Sequence, residues 1–552
     1  MGNRRSWIRK GLAVAAFGAI LMTSACGQSQ GSSAQAATGG PQSGGTLRIA
    51  QTPDTLNCVD PFQTAWTGTR TVVRQFAQSL VDQDPDTGNI KPWLATDWKV
   101  SADGKQYSFN LKQGVTFSNG EAFNADAVVK TFNEDLQTLK EKPGTVGGFY
   151  VQNLRSVEKT GEYSVVFNFD KPNGSFLRDL ATTTLAIIAP ASTEKTPEER
   201  CLAKDLYGTG AFVIDKYDVN TTTELSKRKG FTTPSPFSKH QGDAYLDKIV
   251  VSYVPEDSVR VGNFVGGQTD VIWSDSDSQI VENDEQQIKQ VGGSLQTRGL
   301  PGSVFNLFPN VRHGSPLADL DVRKAVSLGL DRKAYASTVI RPDYQTPKGV
   351  LGSTTPAFQS LPDNVKYDPD EAKATLDKAG WKQESDGYRY KNGRKLTLHY
   401  LTTQKDSGYE LIQDELKAIG VDFQIDVVTN GESTSRQESG DYDFTSLTYT
   451  RADPSAANVL LDVRYATFKS VTGSVYNDQQ RKVLEDYFDK GVAETDQTKR
   501  TRIYQDVQRY IGEQYLLIPV FQRVQDTALS SKVHDVRFTA ESFGDFSGTW
   551  LG

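Results

Sequence analysis

The chain has 552 residues, with 61 basic against 68 acidic side chains, a net charge of −7 and 37% hydrophobic residues. That length allows roughly three to four domains with sizeable cores. The acidic balance and the lack of a basic patch exclude a nucleic-acid partner.

Residues 1–25 read as a targeting segment rather than as part of the fold. Arg4, Arg5, Arg9 and Lys10 form a positive start, Gly11 to Met22 is an apolar run too short to span a bilayer, and small residues follow. Asn3-Arg4-Arg5-Ser6-Trp7-Ile8 is similar to a twin-arginine export motif, but adjacent arginines are common in such starts, so the export route stays open. The stretch 27–45, rich in Gly, Ser, Gln and Ala, cannot bury enough surface to order itself and reads as a tether.

Gly45 to Ala50 reads as a first strand, with Asp60-Pro61 as a turn after it. Lys91 to Phe132 is the most informative stretch. Tyr107, Phe109 and Leu111 alternate with Ser108 and Asn110, the period of a half-buried strand, and Ala102-Asp103-Gly104 supplies a turn before it. Gln113-Gly114 predicts a second turn, Val115 and Phe117 a restarted strand, and Asn119-Gly120 its end. Asn124 then stands where a helix cap belongs, Asp126 sits in the first turn, and Val128, Val129 and Phe132 form an apolar stripe. Val165, Phe167 and Phe169 predict a further strand, Tyr245 to Tyr253 another, and Val261 to Val271 a helix and a strand.

A second lobe is predicted from about Trp273. Asp321 is expected to cap a helix burying Val322, Ala325, Val326 and Leu330, and Asp368-Pro369 opens another that ends at Gly380. Lys395 to Leu401 alternates, Ile412, Leu416 and Ile419 make a helical stripe, and Val421 to Val427 alternates again. That is a βαβ unit with parallel pairing.

The ordered series Leu94-Ala95, Trp98, Asp103-Gly104, Tyr107-x-Phe109-x-Leu111, Gly114-Val115-x-Phe117, Gly120 and Ala125-Asp126-x-Val128 resembles the extracytoplasmic solute-binding proteins of ABC importers, in the family that takes peptides and nickel. Gly208 to Phe212, Val322-Arg323, Asp331-Arg332, Asp368-Pro369 and Ala379-Gly380-Trp381 extend the resemblance along the chain from about Gly45 to the C-terminus. It implies an α/β fold of the two-lobed periplasmic-binding-protein type, enlarged by an accessory domain, with mixed sheets and two crossover strands as a hinge. The expected division is lobe I at 45–85, 175–272 and 520–552, the accessory domain at 86–174, and lobe II at 273–519, with the return crossing near Tyr515 to Phe521.

The resemblance also implies how the chain is anchored. Met22-Thr23-Ser24-Ala25-Cys26-Gly27 is similar to a bacterial lipobox, with Thr23 where leucine is usual, so Cys26 is expected to carry lipid and hold the protein at the outer membrane face; the alternative is an ordinary signal peptide with a chance cysteine. Cys58 and Cys201 remain, an even pair in an oxidising compartment, expected as a disulfide with two buried thiols as the alternative.

For chemistry, His240, His313, His399 and His534 show no metal-ligand spacing, and there is no nucleophile elbow, Walker A loop or dinucleotide fingerprint; the sequence offers no catalytic site, cofactor or metal site. The ligand site is expected at Tyr449-Thr450-Arg451-Ala452-Asp453-Pro454. Where peptide-binding relatives carry an aromatic residue and an aspartate that pairs with the peptide ammonium, this chain has Tyr449 and Asp453. Asp453 is either that partner or the turn aspartate before Pro454; Arg451 either receives a carboxylate or pairs with Asp453. Trp66, Phe305 and Asn306 match cleft-lining regions, with a core role as the alternative for Trp66. The implied protein is a monomeric, lipid-anchored binder that delivers oligopeptides or dipeptides to an ABC permease. The alternatives are the same fold taking a nickel chelate, a sugar or a glycolipid, and a sensory lipoprotein that delivers nothing.

Overall fold

The computed structural model describes residues 40–54, 56–64, 66–274, 279–312, 314–464 and 469–552. The targeting segment, the tether up to residue 39, Cys26 and His313 lie outside the described residues. Residues Pro41–Gly552 form one compact unit. No helix among the described residues is long and apolar enough to cross a membrane.

The first strand, β1 (Thr46–Gln51), leads through a loop into helix α1 (Thr67–Phe76). The chain then builds the accessory sheet. β2 (Ala95–Val100) and β3 (Gln106–Leu111) pair antiparallel across the Asp103-Gly104 turn, helix α2 (Ala125–Glu141) follows, and β4 (Leu154–Gly161) and β5 (Ser164–Phe169) complete the order β2-β3-β5-β4. Asn124 caps α2 by accepting from the Ala127 amide at 3.1 Å. The alternating residues Tyr107, Phe109 and Leu111 enter one aromatic core, where Phe132 meets Phe167 edge-on at 4.8 Å. The predicted strand over Val115 and Phe117 does not form. Only an isolated bridge, Thr116 to Ala122, pairs there, because both edges of β3 are already taken, by β2 and by β5.

The return to the main sheet runs past Gly210, whose amide donates to the Phe76 carbonyl at 2.8 Å. A Cβ there would lie 2.4 Å from the Gln75 carbonyl oxygen, so only glycine lets the backbone approach the end of α1 this closely. β6 (Phe212–Asp218), β7 (Thr222–Lys227), β8 (Lys248–Tyr253), β9 (Val271–Trp273) and β10 (Ser294–Gly299) follow. β1 lies parallel to both β8 and β9.

The chain leaves this sheet after Gly299, not at Trp273 as expected: β10 still pairs along its length within it. β11 (Phe305–Pro309) opens the second lobe. Helix α3 (Leu320–Leu328) is capped by Asp319, whose carboxylate accepts from the Asp321 amide at 3.0 Å; Asp321 lies inside the first turn rather than at the cap. Helix α4 (Pro369–Lys378) starts where predicted, with Asp368 accepting from the Glu371 amide at 2.9 Å. β12 (Thr397–Thr402), α5 (Ser407–Ala418) and β13 (Asp422–Val427) form the βαβ unit, with β12 and β13 parallel. Helix α6 (Asn430–Ser439), β14 (Phe444–Ser446), and helices α7 (Ala456–Leu461), α8 (Asp478–Ala493) and α9 (Gln497–Glu513) precede β15 (Ile518–Phe521).

The second sheet has the order β13-β12-β14-β11-β15, and β16 (Val524–Leu529) completes the first as β10-β16-β9-β1-β8-β7-β6. Two connections therefore join the lobes, residues 300–304 and residues 522–523. They touch, the Leu300 amide donating to the Arg523 carbonyl at 3.0 Å. Cys58 and Cys201 are disulfide-bonded across a sequence separation of 143 residues, beside a 3.0 Å hydrogen bond from the Val59 amide to the Cys201 carbonyl.

Candidate functional site

Helix α1 is unusual for an inward-facing helix because it buries two arginines a turn apart. Burying a guanidinium is costly unless it is paired, so each must find a carboxylate. Arg74 finds Asp82 at 2.7 Å and Asp545 at 3.2 Å, with its guanidinium 4.2 Å from the Trp93 ring. Arg70 finds Glu541 at 2.7 Å, donates to the Thr183 hydroxyl at 3.3 Å and stacks on Phe543 at 4.5 Å. Trp66, the cap residue preceding α1, is half-buried, and its carbonyl accepts from the Arg70 amide at 2.9 Å. It lies one helical turn from the buried charges.

On the far side of Tyr150 the second lobe contributes its own charges. The Tyr150 ring stands 5.8 Å from the Arg70 guanidinium and 4.9 Å from that of Arg451, and its hydroxyl lies 3.2 Å from that of Tyr449. Arg451 reaches across to Asp179 at 2.5 Å and donates to the Phe149 carbonyl at 3.3 Å. Its partner is therefore Asp179 of the first lobe, not Asp453. Asp453 is held inside the second lobe: Arg500 donates to both its oxygens at 2.7 and 2.8 Å, and the Ser455 amide at 2.8 Å and the Ser455 hydroxyl add to one of them. Arg178 stands 3.7 Å away. In this conformation the place beside Asp453 where a peptide ammonium was expected is taken by the guanidinium of Arg500. Burial by itself would raise the Asp453 carboxyl, but Arg500, backed by Arg178 and Arg451, holds it well below the usual carboxylate range.

The interface thus gathers four guanidiniums, Arg70, Arg178, Arg451 and Arg500, against the carboxylates of Glu541, Asp179 and Asp453. Charges this well buried interact far more strongly than in water. Several polar atoms in it are buried with no partner among the described residues: Arg451 Nε, Arg178 Nε, Thr184 Oγ1 and Glu541 Oε1. Each such atom costs about 1–3 kcal/mol when left unmatched, so together they mark a place suited to a polar solute or to water. Hydrogen bonds also cross between the lobes, from the Gly174 amide to the Val492 carbonyl at 2.7 Å and from the Gln83 side-chain amide to the Ala452 carbonyl at 3.1 Å.

A second hollow, of about 250 Å³, opens at the carboxyl ends of β12 and β14. The chain turns from β12 to β13 on one side and crosses to β14 on the other, and in open α/β sheets that switch point is where ligands bind. Phe305, Phe521 and Tyr409 line it, with Phe305 stacked 4.7 Å from Phe521. Thr402, Gln437 and Ser446 add neutral hydrogen-bonding groups, and Asp406 adds a carboxylate. Asn306 does not line this hollow; it is buried beside a register shift in β11, where its amide donates to the Val304 and Val350 carbonyls at 3.0 and 3.2 Å and its Oδ1 has no partner among the described residues.

The structure thus brings Tyr449, Arg451 and Asp453 into one network, places Phe305 in the adjoining hollow, and leaves Asn306 buried outside that hollow. Arg70, Tyr150, Asp179, Arg500 and Glu541 were missed by sequence reasoning. Two arginines four residues apart on a helix that must bury a face were a usable signal for Arg70; Glu541, in an irregular C-terminal segment, offered none. His240, His399 and His534 lie in separate places, with partners Asp243, Asp426 and Trp550, and no metal-binding cluster exists among the described residues.

Residues 89–469 match the family model for bacterial extracellular solute-binding proteins, family 5. Among curated relatives, the dipeptide-binding protein of Escherichia coli K12 is 24% identical over 79% of this chain and 81% of its own length, and the nickel-binding periplasmic protein of the same organism is 24% identical over 81% and 84%. Among solved structures, NikA from Brucella suis in complex with Fe(III)-EDTA superposes with a TM-score of 0.79 at 21% identity, over 92% of this chain and 100% of that one. The oligopeptide-binding protein AppA from Bacillus subtilis, in complex with a nonapeptide, gives 0.73 at 20% identity over 93% and 100%.

Proposed function

From the premise that the chain belongs to the family 5 bacterial extracellular solute-binding proteins, we propose that it is the capture component of an ABC importer, taking oligopeptides or dipeptides between its lobes and delivering them to a membrane permease. The observation that carries this reading is the pairing of a two-connection hinge with a buried, partly unmatched polar interface at Tyr150, Tyr449, Arg451 and Glu541. Lobes joined by two short connections can swing apart, and closure removes water from the charges that hold the solute. The curated relatives named for dipeptides and di- or tripeptides support the ligand class. A mature N-terminus at Cys26 carrying lipid would keep the protein beside its permease.

Mass spectrometry of solutes that co-purify, followed by calorimetric titration with an alanine series from di- to pentapeptide, tests the reading. Recovery of a sugar alone, or of a metal chelate alone, would overturn the peptide class. The chelate reading is favoured by one observation, the surplus of guanidiniums over carboxylates at the interface, which suits an anionic complex. For the anchor, Cys26→Ser is expected to release the protein into the medium; retention in the membrane fraction would refute lipidation.

A further inference from the structure

In the network around Tyr150 the described residues include three carboxylates, Asp453, Asp179 and Glu541, and of these Glu541 has an oxygen without a partner. Asp453 spends both on Arg500 and one of them also on Ser455. Asp179 gives Oδ1 to Arg451 and Oδ2 to the Ser175 hydroxyl at 2.9 Å. Glu541 gives Oε2 to Arg70 at 2.7 Å, while its Oε1 is buried with no partner among the described residues.

The place of Glu541 in the fold is as telling as its free oxygen. The next residue, Ser542, donates to the carbonyl of Gly299 at 3.1 Å, the last residue of β10 before the chain crosses between lobes. The Arg70 guanidinium bonded to Glu541 faces the Tyr150 ring, and the same ring faces Arg451 of the second lobe. The carboxylate therefore sits beside the hinge, where α1, the accessory domain and the second lobe converge, and its side chain is only 5% exposed.

We propose that Glu541 is the residue that receives the cationic end of the solute, the free α-ammonium of a peptide, on Oε1. The proposal rests on the peptide reading above and assigns its charge partner. An ammonium carries three donors and no acceptor, so in a dry interface it needs a carboxylate oxygen not already saturated. Arg70 holds the other oxygen and fixes the rotamer, so the free lone pairs are already aimed when the solute arrives. Arg451 Nε, a buried donor without an acceptor, stands in the same network and fits a peptide carbonyl or carboxylate.

The test compares alanine di- to pentapeptides with the same peptides N-acetylated, by calorimetry on the wild type, Glu541→Gln, Glu541→Asp and Asp453→Asn. The wild type is expected to prefer the free amine. Glu541→Gln keeps the size and a hydrogen bond to Arg70 but loses the charge; it should bind the free-amine peptides about 10- to 100-fold more weakly and lose the preference. Glu541→Asp, which retains the charge, should keep the preference, so a loss in Gln alone cannot come from misfolding. Asp453→Asn should keep it too. Peptide binding in which Glu541→Gln retains the free-amine preference, or in which the wild type has none, overturns the role of Glu541 and leaves the peptide reading standing. Failure of the wild type to bind any of the peptides overturns both.

Discussion

If Asp453 belongs to the internal framework of the second lobe, its removal should be felt as stability rather than as affinity. Asp453→Asn takes one charge from a fully buried pair in which Arg500 makes two bonds of 2.7 and 2.8 Å to it and a third, of 3.0 Å, to the Gly491 carbonyl. The guanidinium left behind has no second carboxylate within bonding distance among the described residues, and breaking a buried pair from one side costs about 3–5 kcal/mol. At roughly 2–4 °C per kcal/mol for a lobe of ordinary domain size, the melting temperature should fall by roughly 10 °C. Arg500→Met should also destabilise, but by less, because the Ser455 amide and hydroxyl and Arg178 remain beside the carboxylate. The double variant should cost less than the two singles together, with a coupling of roughly 2–3 kcal/mol. The assay is thermal and urea unfolding followed by tryptophan fluorescence, with peptide titration on the same samples. Additive single effects, or an Asp453→Asn protein of wild-type stability that has lost peptide affinity, would refute the assignment and return Asp453 to the solute.

The disulfide closes a long loop, so Cys201→Ser, or reduction of the wild type, should remove about 4–5 kcal/mol by the chain-entropy argument; an unchanged urea midpoint under reductant would argue that the bond carries no load. Phe167→Ala opens a cavity among Phe109, Phe132 and Phe176 and should cost about 3–5 kcal/mol, with protease cutting the accessory domain first. For pH, burial by itself would raise the carboxyls of Asp453 and Asp545, but Arg500 outweighs it at the first, and Arg537 with Arg74 at the second, so both lie below the usual range in the folded protein. Their stabilisation is then fully present above the unfolded value of about 3.9 and is lost as pH falls through the folded values. The melting temperature should therefore drop steeply below about pH 4, and less steeply in Asp453→Asn; equal acid sensitivity in the two proteins would contradict this.

The local sequence was enough to determine several of the elements. Period-2 alternation at Tyr107 to Leu111 and at Lys395 to Leu401, the caps Asn124 and Asp368, and the helical stripe at Ile412, Leu416 and Ile419 each act over a few residues, so they were legible without the fold. The failures have one kind of cause. Val115 and Phe117 have strand character, but a strand needs a free edge, and β5, some fifty residues later, had taken it. The lobe boundary moved from Trp273 to Gly299 because β10 joins the first sheet through β16, more than two hundred residues away. The site divides in the same way. Tyr449, Arg451 and Asp453 could be singled out from their order, yet whether an acid faces solute or a neighbouring arginine depends on which charges the fold sets beside it. Arg500 is 47 residues from Asp453, and Glu541 is 471 from Arg70. Charge pairing in a buried interface is decided by distance in space, and only the tertiary structure brings those groups within bonding range.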